Sequence, residues 1–190
     1  MKRLTMILCA AVLCGLAYST VTVTELASVR AKVQDKTDDA KINSTYDKQK
    51  NETELKFSMW PLGSNGTQRV LLGMSASYKG QTPKPPDDVI FILQVLSKDN
   101  YHYPDAMAMQ VAIGGKKVSD VLMVNFDKRR LDEDYLETIG TRMKYDLFQR
   151  LLKGPAPELR LGSLTLPLEA THLTKLREFD ALLHKQNTEQ

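Results

Sequence analysis

Residues 70–78 read Val-Leu-Leu-Gly-Met-Ser-Ala-Ser-Tyr. Val70, Leu72, Met74, Ala76 and Tyr78 alternate with Leu71, Gly73, Ser75 and Ser77. A period of two places the larger set on one face of a β-strand and the smaller set on the other. The stretch decides the fold class because the chain on both sides of it carries the same kind of signal. Upstream, Glu54 to Pro61 reads as a strand and Gly63-Ser64-Asn65-Gly66 as the hairpin turn between the two. Downstream, Gln81 to Asp88 holds Pro83, Pro85 and Pro86, which cannot donate to a ladder and so mark a rigid loop. Val89 to Leu96 is apolar at nearly every position, the pattern of a strand buried on both faces.

Further along, Met107, Met109, Val111 and Ile113 form one more strand face, and Val118, Asp120, Leu122, Val124 and Phe126 return from it. The Gly114-Gly115 pair between them suits a two-residue hairpin, whose central residues both need positive φ. Tyr135, Glu137, Ile139, Thr141 and Met143 suggest another strand. The period then changes. Tyr145, Phe148, Leu151 and Leu152 share a helical face that Gly154-Pro155 ends. Leu159 and Leu161 flank Gly162-Ser163 with Leu164 and Leu166 as a last hairpin, and Leu173, Leu176, Phe179 and Leu183 stripe a C-terminal helix.

Many short strands with turn signals between them predict a mainly β chain, an antiparallel β-sandwich of immunoglobulin-like or similar type. The expected domain covers residues 53–186, with a short helix near 144–153 and a C-terminal helix near 169–185. Residues 187–190 are a polar tail. Residues 20–52 precede the domain: 21–33 are ambiguous between strand and helix, and Gln34 to Asn51 is a solvated linker or a weak edge strand.

The start of the chain reads as a secretion signal over residues 1–19. Lys2 and Arg3 precede an almost unbroken apolar run from Leu4 to Tyr18, and Ala17 and Ser19 offer small residues at the −3 and −1 positions of a cleavage site before Thr20. The run is shorter than the ~20 apolar residues of a membrane span, which favours a cleaved leader over an uncleaved anchor. Cys9 and Cys14 each follow a leucine, so neither sits in the small-residue context of a lipidated cysteine.

Both cysteines of the chain lie in that leader, so the mature chain has no disulfide and no thiolate chemistry. A secreted domain without disulfides fits a bacterial envelope or periplasm better than a eukaryotic secretory route. Against this stand N-x-[ST] triplets at Asn43, Asn51 and Asn65, glycan acceptors in a eukaryotic secretory pathway; the bacterial reading makes them chance occurrences in polar segments. The chain carries 26 basic and 23 acidic residues; removing Lys2 and Arg3 leaves 24 against 23, a formal charge of +1. A near-neutral surface gives no basis for binding nucleic acid, which rests on neutralising phosphates.

Several patterns that bear chemistry are incomplete. His102, His172 and His184 have no metal-ligand spacing. Asp132-Glu133-Asp134 resembles the start of a calcium loop, but Glu137 and Met143 stand where Gly and Glu are required. Those acids read as a charged turn, and Lys128-Arg129-Arg130 before them as a solvated loop. Gly73-Met74-Ser75-Ala76-Ser77 falls one residue short of G-x-S-x-G and lies within a strand. There is no phosphate-binding glycine loop and no H-E-x-x-H, so no catalytic, metal or cofactor residue is assigned. Asp88 and Glu137 are carboxylates that could converge in space.

Two loops remain as contact candidates. Tyr101-His102-Tyr103-Pro104, within 98–105, offers rigid aromatic area with polar handles; the competing reading folds these rings down over a sheet edge. Pro83, Pro85 and Pro86 form either an extended docking segment or a stiff connection.

Tyr78-Lys79-Gly80, the Pro-rich loop and Val89-Ile90-Phe91 resemble a block found in small uncharacterised secreted bacterial proteins. Ala112-Ile113-Gly114-Gly115 and the Leu161-Gly162 to Leu166 hairpin with its closing helix are similar as well. The resemblance spans residues 54–183 in order and implies a β-sandwich-like fold with no known activity. The expected protein is thus an exported, non-catalytic module of the envelope or periplasm. Its partner is an unknown protein or envelope component, with no nucleic acid and no stable membrane span. The alternatives are a carboxylate-based extracytoplasmic hydrolase and a membrane-tethered envelope protein.

Overall fold

Alternating side chains commit the chain to ladders, and each ladder joins its strands antiparallel. The computed structural model describes residues 41–64, 66–103 and 108–184. The expected leader with Ala17 and Ser19, residues 20–40, Asn65, residues 104–107 with Pro104, Asp105 and Met107, and the tail fall outside them. In chain order the elements are β1 (Ile42–Asp47), β2 (Glu52–Ser64), β3 (Gln68–Lys79), β4 (Asp88–Ser97), β5 (Ala108–Ile113), β6 (Lys116–Leu131) and β7 (Asp134–Lys144). There follow α1 (Tyr145–Lys153), β8 (Pro157–Leu161), β9 (Leu164–Pro167) and α2 (Ala170–His184). Both helices fall where the change of period predicts them.

The fold is mainly β and antiparallel. The ladder runs β1-β2-β3-β4-β7-β6-β5-β8-β9, so the described strands form one open nine-stranded sheet. β6 is the strand that joins the two halves of this order. This single 16-residue strand pairs with β5 through Lys116 to Leu122 and with β7 through Met123 to Leu131. Register shifts at Val111/Ala112 and Met123/Asn125 bend it. The sheet curls far enough that a Cβ added to Gly63 on β2 would lie 3.7 Å from Leu166 Cδ2 on β9.

The polar stretch before residue 53 supplies the edge strand β1, paired from Ile42↔Phe57 to Asp47↔Glu52. Its turn is closed by the Asp47 carboxylate, which accepts from the Gln49 and Lys50 N–H groups at 2.9 and 3.2 Å. Gly114 and Gly115 lie at φ 59° and 75°, the left-handed values that their two-residue turn requires.

β4 departs from its expected burial. Val89, Phe91, Leu93 and Val95 are fully buried, whereas Ile90, Ile92 and Leu96 are only half-buried. β4 and β7 face α1 on one side, while the other side of the sheet, with Ser77 and Arg142, stays partly open, so an almost continuous apolar run accompanies one-sided burial. The core beneath holds Phe91 edge-on to Phe148 of α1 at 5.9 Å. Leu147, Phe148, Leu151 and Leu152 of α1 and Leu176, Phe179 and Leu183 of α2 close it. Leu173 is only half-buried.

The N-terminus of α2 is held by His172. Its Nδ1 accepts from the Glu169 N–H at 3.0 Å, its Nε2 donates to the Pro61 carbonyl at 3.2 Å, and its ring stands edge-on to Trp60 at 4.8 Å. A histidine here does the reciprocal work of the acid in a capping box. Among the described residues no helix is long and apolar enough to cross a membrane.

Candidate functional site

The loop between β3 and β4 carries Pro83, Pro85 and Pro86, and both its ends are pinned. At one end the Gly80 N–H donates to the Asn51 carbonyl at 2.9 Å, and the Thr53 hydroxyl donates to the Gly80 carbonyl at 2.6 Å. At the other end the Asp87 carbonyl accepts from the first N–H of α1, on Tyr145, at 3.0 Å. The Asp88 carboxylate lies 2.9 Å from the Lys144 ammonium. Pro85 is exposed, while Pro83 and Pro86 are half-buried.

A cleft opens on each side of Pro86-Asp87. One, of about 280 Å³, is lined by Ser75, Ser77, Asp87, Asp88, Ile90 and Arg142. The other, of about 330 Å³, is lined by Glu52, Ser77, Lys79, Lys84 and the prolines Pro85 and Pro86, among others. The Lys79 ammonium, 2.9 Å from the Glu52 carboxylate, holds that carboxyl below its ordinary value by hydrogen bond and charge. Hydroxyls, carboxylates, an ammonium and a guanidinium thus surround a stiff loop. Such a lining can match donors and acceptors of either sign on a polar partner.

The second loop is folded down. Tyr101 stands edge-on to Tyr135 at 5.0 Å, with the Lys128 ammonium 5.7 Å from its ring. Tyr103 is 5 % exposed. His102 is the outward member, with Nε2 3.0 Å from the Asp99 carboxylate, and that hydrogen bond lowers the Asp99 carboxyl. The fastening is Glu137, which is 0 % exposed. One of its oxygens accepts from the His102 N–H at 2.8 Å and the other from the Tyr103 N–H at 3.0 Å. Burial, then the Glu137 charge, push the Tyr103 phenol up. The two loops leave opposite ends of the ten-residue β4. At ~3.3 Å per residue they are about 30 Å apart and form no common surface.

The remaining candidates disperse. Asp88 pairs with Lys144 and Glu137 with Val95, at opposite ends of the β4–β7 ladder, so the two carboxylates do not converge. Ser75 sits within β3, between Lys56 and Ile90. Lys128-Arg129-Arg130 is not a loop but part of β6, where Arg129 Nε lies 2.5 Å from the Asp127 carboxylate. Asp132 and Glu133 form the β6–β7 turn, with Asp132 at φ 52°. His184 caps a network at the far end of α2, its Nε2 2.8 Å from the Tyr145 hydroxyl, which also bonds Asp180. Burial and the Asp180 carboxylate raise the Tyr145 phenol. No group of three potential metal ligands comes together among the described residues. Comparison with protein families, curated sequences and solved structures finds no match to this chain.

Proposed function

We propose that the chain is an exported, non-catalytic β-module that binds a protein or other envelope component through the Pro83–Pro86 loop. The observation that carries this reading is the loop itself: stiff, pinned at both ends, and bordered on both sides by clefts with mixed polar linings. A partner that docks there meets a surface already ordered, so little conformational entropy is lost on binding. The leader reading supports export.

A photo-cross-linker in place of Lys84 tests the docking site in the native envelope fraction. A discrete adduct is expected, lost when Pro83, Pro85 and Pro86 are replaced by serine, and absent when the cross-linker replaces Thr165 on β9. Adducts at Thr165 and none at Lys84 would sink the proposal. Export has its own measurement. The intact mass of the secreted chain is expected to correspond to a start at Thr20. A mass that retains residues 1–19 would instead support the tethered form.

A further inference from the structure

The β5–β6 hairpin turns beside the last turn of α1, and its Gly114 N–H donates to the Pro155 carbonyl at 2.7 Å. Between hairpin and helix lies a groove of about 460 Å³, lined by Ile113, Lys116, Val118, Arg150, Lys153 and Gly154. Its floor is apolar and close-packed. Gly154 ends the helix in extended backbone, and a Cβ there would come within 2.3 Å of Ile113 Cγ2 and 3.1 Å of the Arg150 carbonyl. Val118 is the extra residue of the β6 bulge, since Val111 pairs with Ser119 and Ala112 with Lys117. A bulge re-aims the side chain it carries.

The rim is cationic. Lys116, Arg150 and Lys153 lie beside the groove and none has a carboxylate within ion-pair distance among the described residues. The neighbouring cations differ: Lys117 pairs with Asp120 at 2.6 Å, and Arg160 pairs with Glu158. The carbonyl end of α1 accounts for cations in its own last turn. It does not account for Lys116, which comes from the hairpin and meets them across an apolar floor.

We infer that this groove takes a single-chain amphiphile with an anionic head, a carboxylate or a phosphate. The head sits among Lys116, Arg150 and Lys153, where the guanidinium can offer paired donors. The first methylenes of the tail cover Ile113 and Val118. The volume is in the range of small-molecule sites and exceeds what an inorganic anion fills. The site lies outside the two loops already described and stands independently of them.

Calorimetry on the full mature chain tests the inference, with dodecanoate and dodecyl phosphate below their micellar concentrations as probes. Saturable one-to-one binding is expected, weakened about tenfold by Arg150→Ala or Lys116→Ala and abolished by Arg150→Glu with Lys153→Glu. Lys117→Ala is expected to leave it unchanged. These side chains are exposed, and equal melting temperatures will show that the variants fold. Dodecyl maltoside binding as tightly as the anions would overturn the role of the head, and inorganic phosphate doing so would overturn that of the tail. Binding confined to phosphatidylglycerol vesicles would overturn the groove in favour of a membrane surface.

Discussion

Glu137→Ala is expected to lower stability by about 3 kcal/mol and to release the loop at 98–103, although among the described residues Glu137 has no ion pair to lose. Glu137 accepts from two backbone N–H groups, and hydrogen bonds to an ionised acceptor are worth about 1.5–3 kcal/mol each. The His102 N–H is part-buried and can recover water; that of Tyr103 is buried and cannot. An apolar substitute cannot relieve this, because the orphaned donors belong to the main chain. Glu137→Gln keeps one acceptor and turns an amide NH₂ toward the other N–H, so about half the loss is expected. For a domain of this size about 3 kcal/mol corresponds to roughly 6–12 °C in Tm. Thermal melts, with tryptic cleavage after Lys98 as the local reading, check both. An alanine variant that melts with the wild type and resists trypsin equally would remove Glu137 as the fastening.

Glu137 also shows where a single sequence stops being legible. The alternation of Tyr135, Glu137, Ile139, Thr141 and Met143 is correct and puts a carboxylate on the same face as buried Ile139 and Met143. That register is a signal that the acid is buried. Its partners are not readable, because a backbone N–H is the same at every residue, and these two stand 34 and 35 positions away. Local chemistry reads better. The Gly114-Gly115 turn, both helices and most strands follow from dihedral demands or periodicity within a few residues.

What fails depends on how elements are arranged. An apolar run such as Val89 to Leu96 suits a doubly covered strand as well as the half-covered β4, since β-branched residues favour the strand on either face. The long β6 that links the two groups of strands appears in sequence as a strand followed by a basic loop, because Lys128-Arg129-Arg130 carries no apolar alternation to mark it as strand. The cationic groove is hidden for a related reason. Lys116 and Arg150 lie far apart along the chain, and each alone is an ordinary surface residue.

Phe148→Ala is expected to cost more than Glu137→Ala. The ring is fully buried between α1 and β4, and removing it leaves a cavity at the point where the helix meets the sheet. Such truncations cost about 3–5 kcal/mol, or roughly 6–20 °C in Tm for a domain of this size. The edge-to-face contact with Phe91 adds a separable part: a double-mutant cycle with Phe91→Ala is expected to give a coupling of about 1 kcal/mol. Leu173→Ala is the control. Periodicity ranks Leu173 with the core of α2, yet it is half-buried and its truncation should cost only about 1 kcal/mol. The order Phe148 above Leu173, measured by urea unfolding, follows from α1 being docked through its centre while the outer side of α2 stays partly open. Equal losses at the two positions would mean that Leu173 is covered as fully as Phe148, and the packing of both helices on the sheet would need to be redrawn.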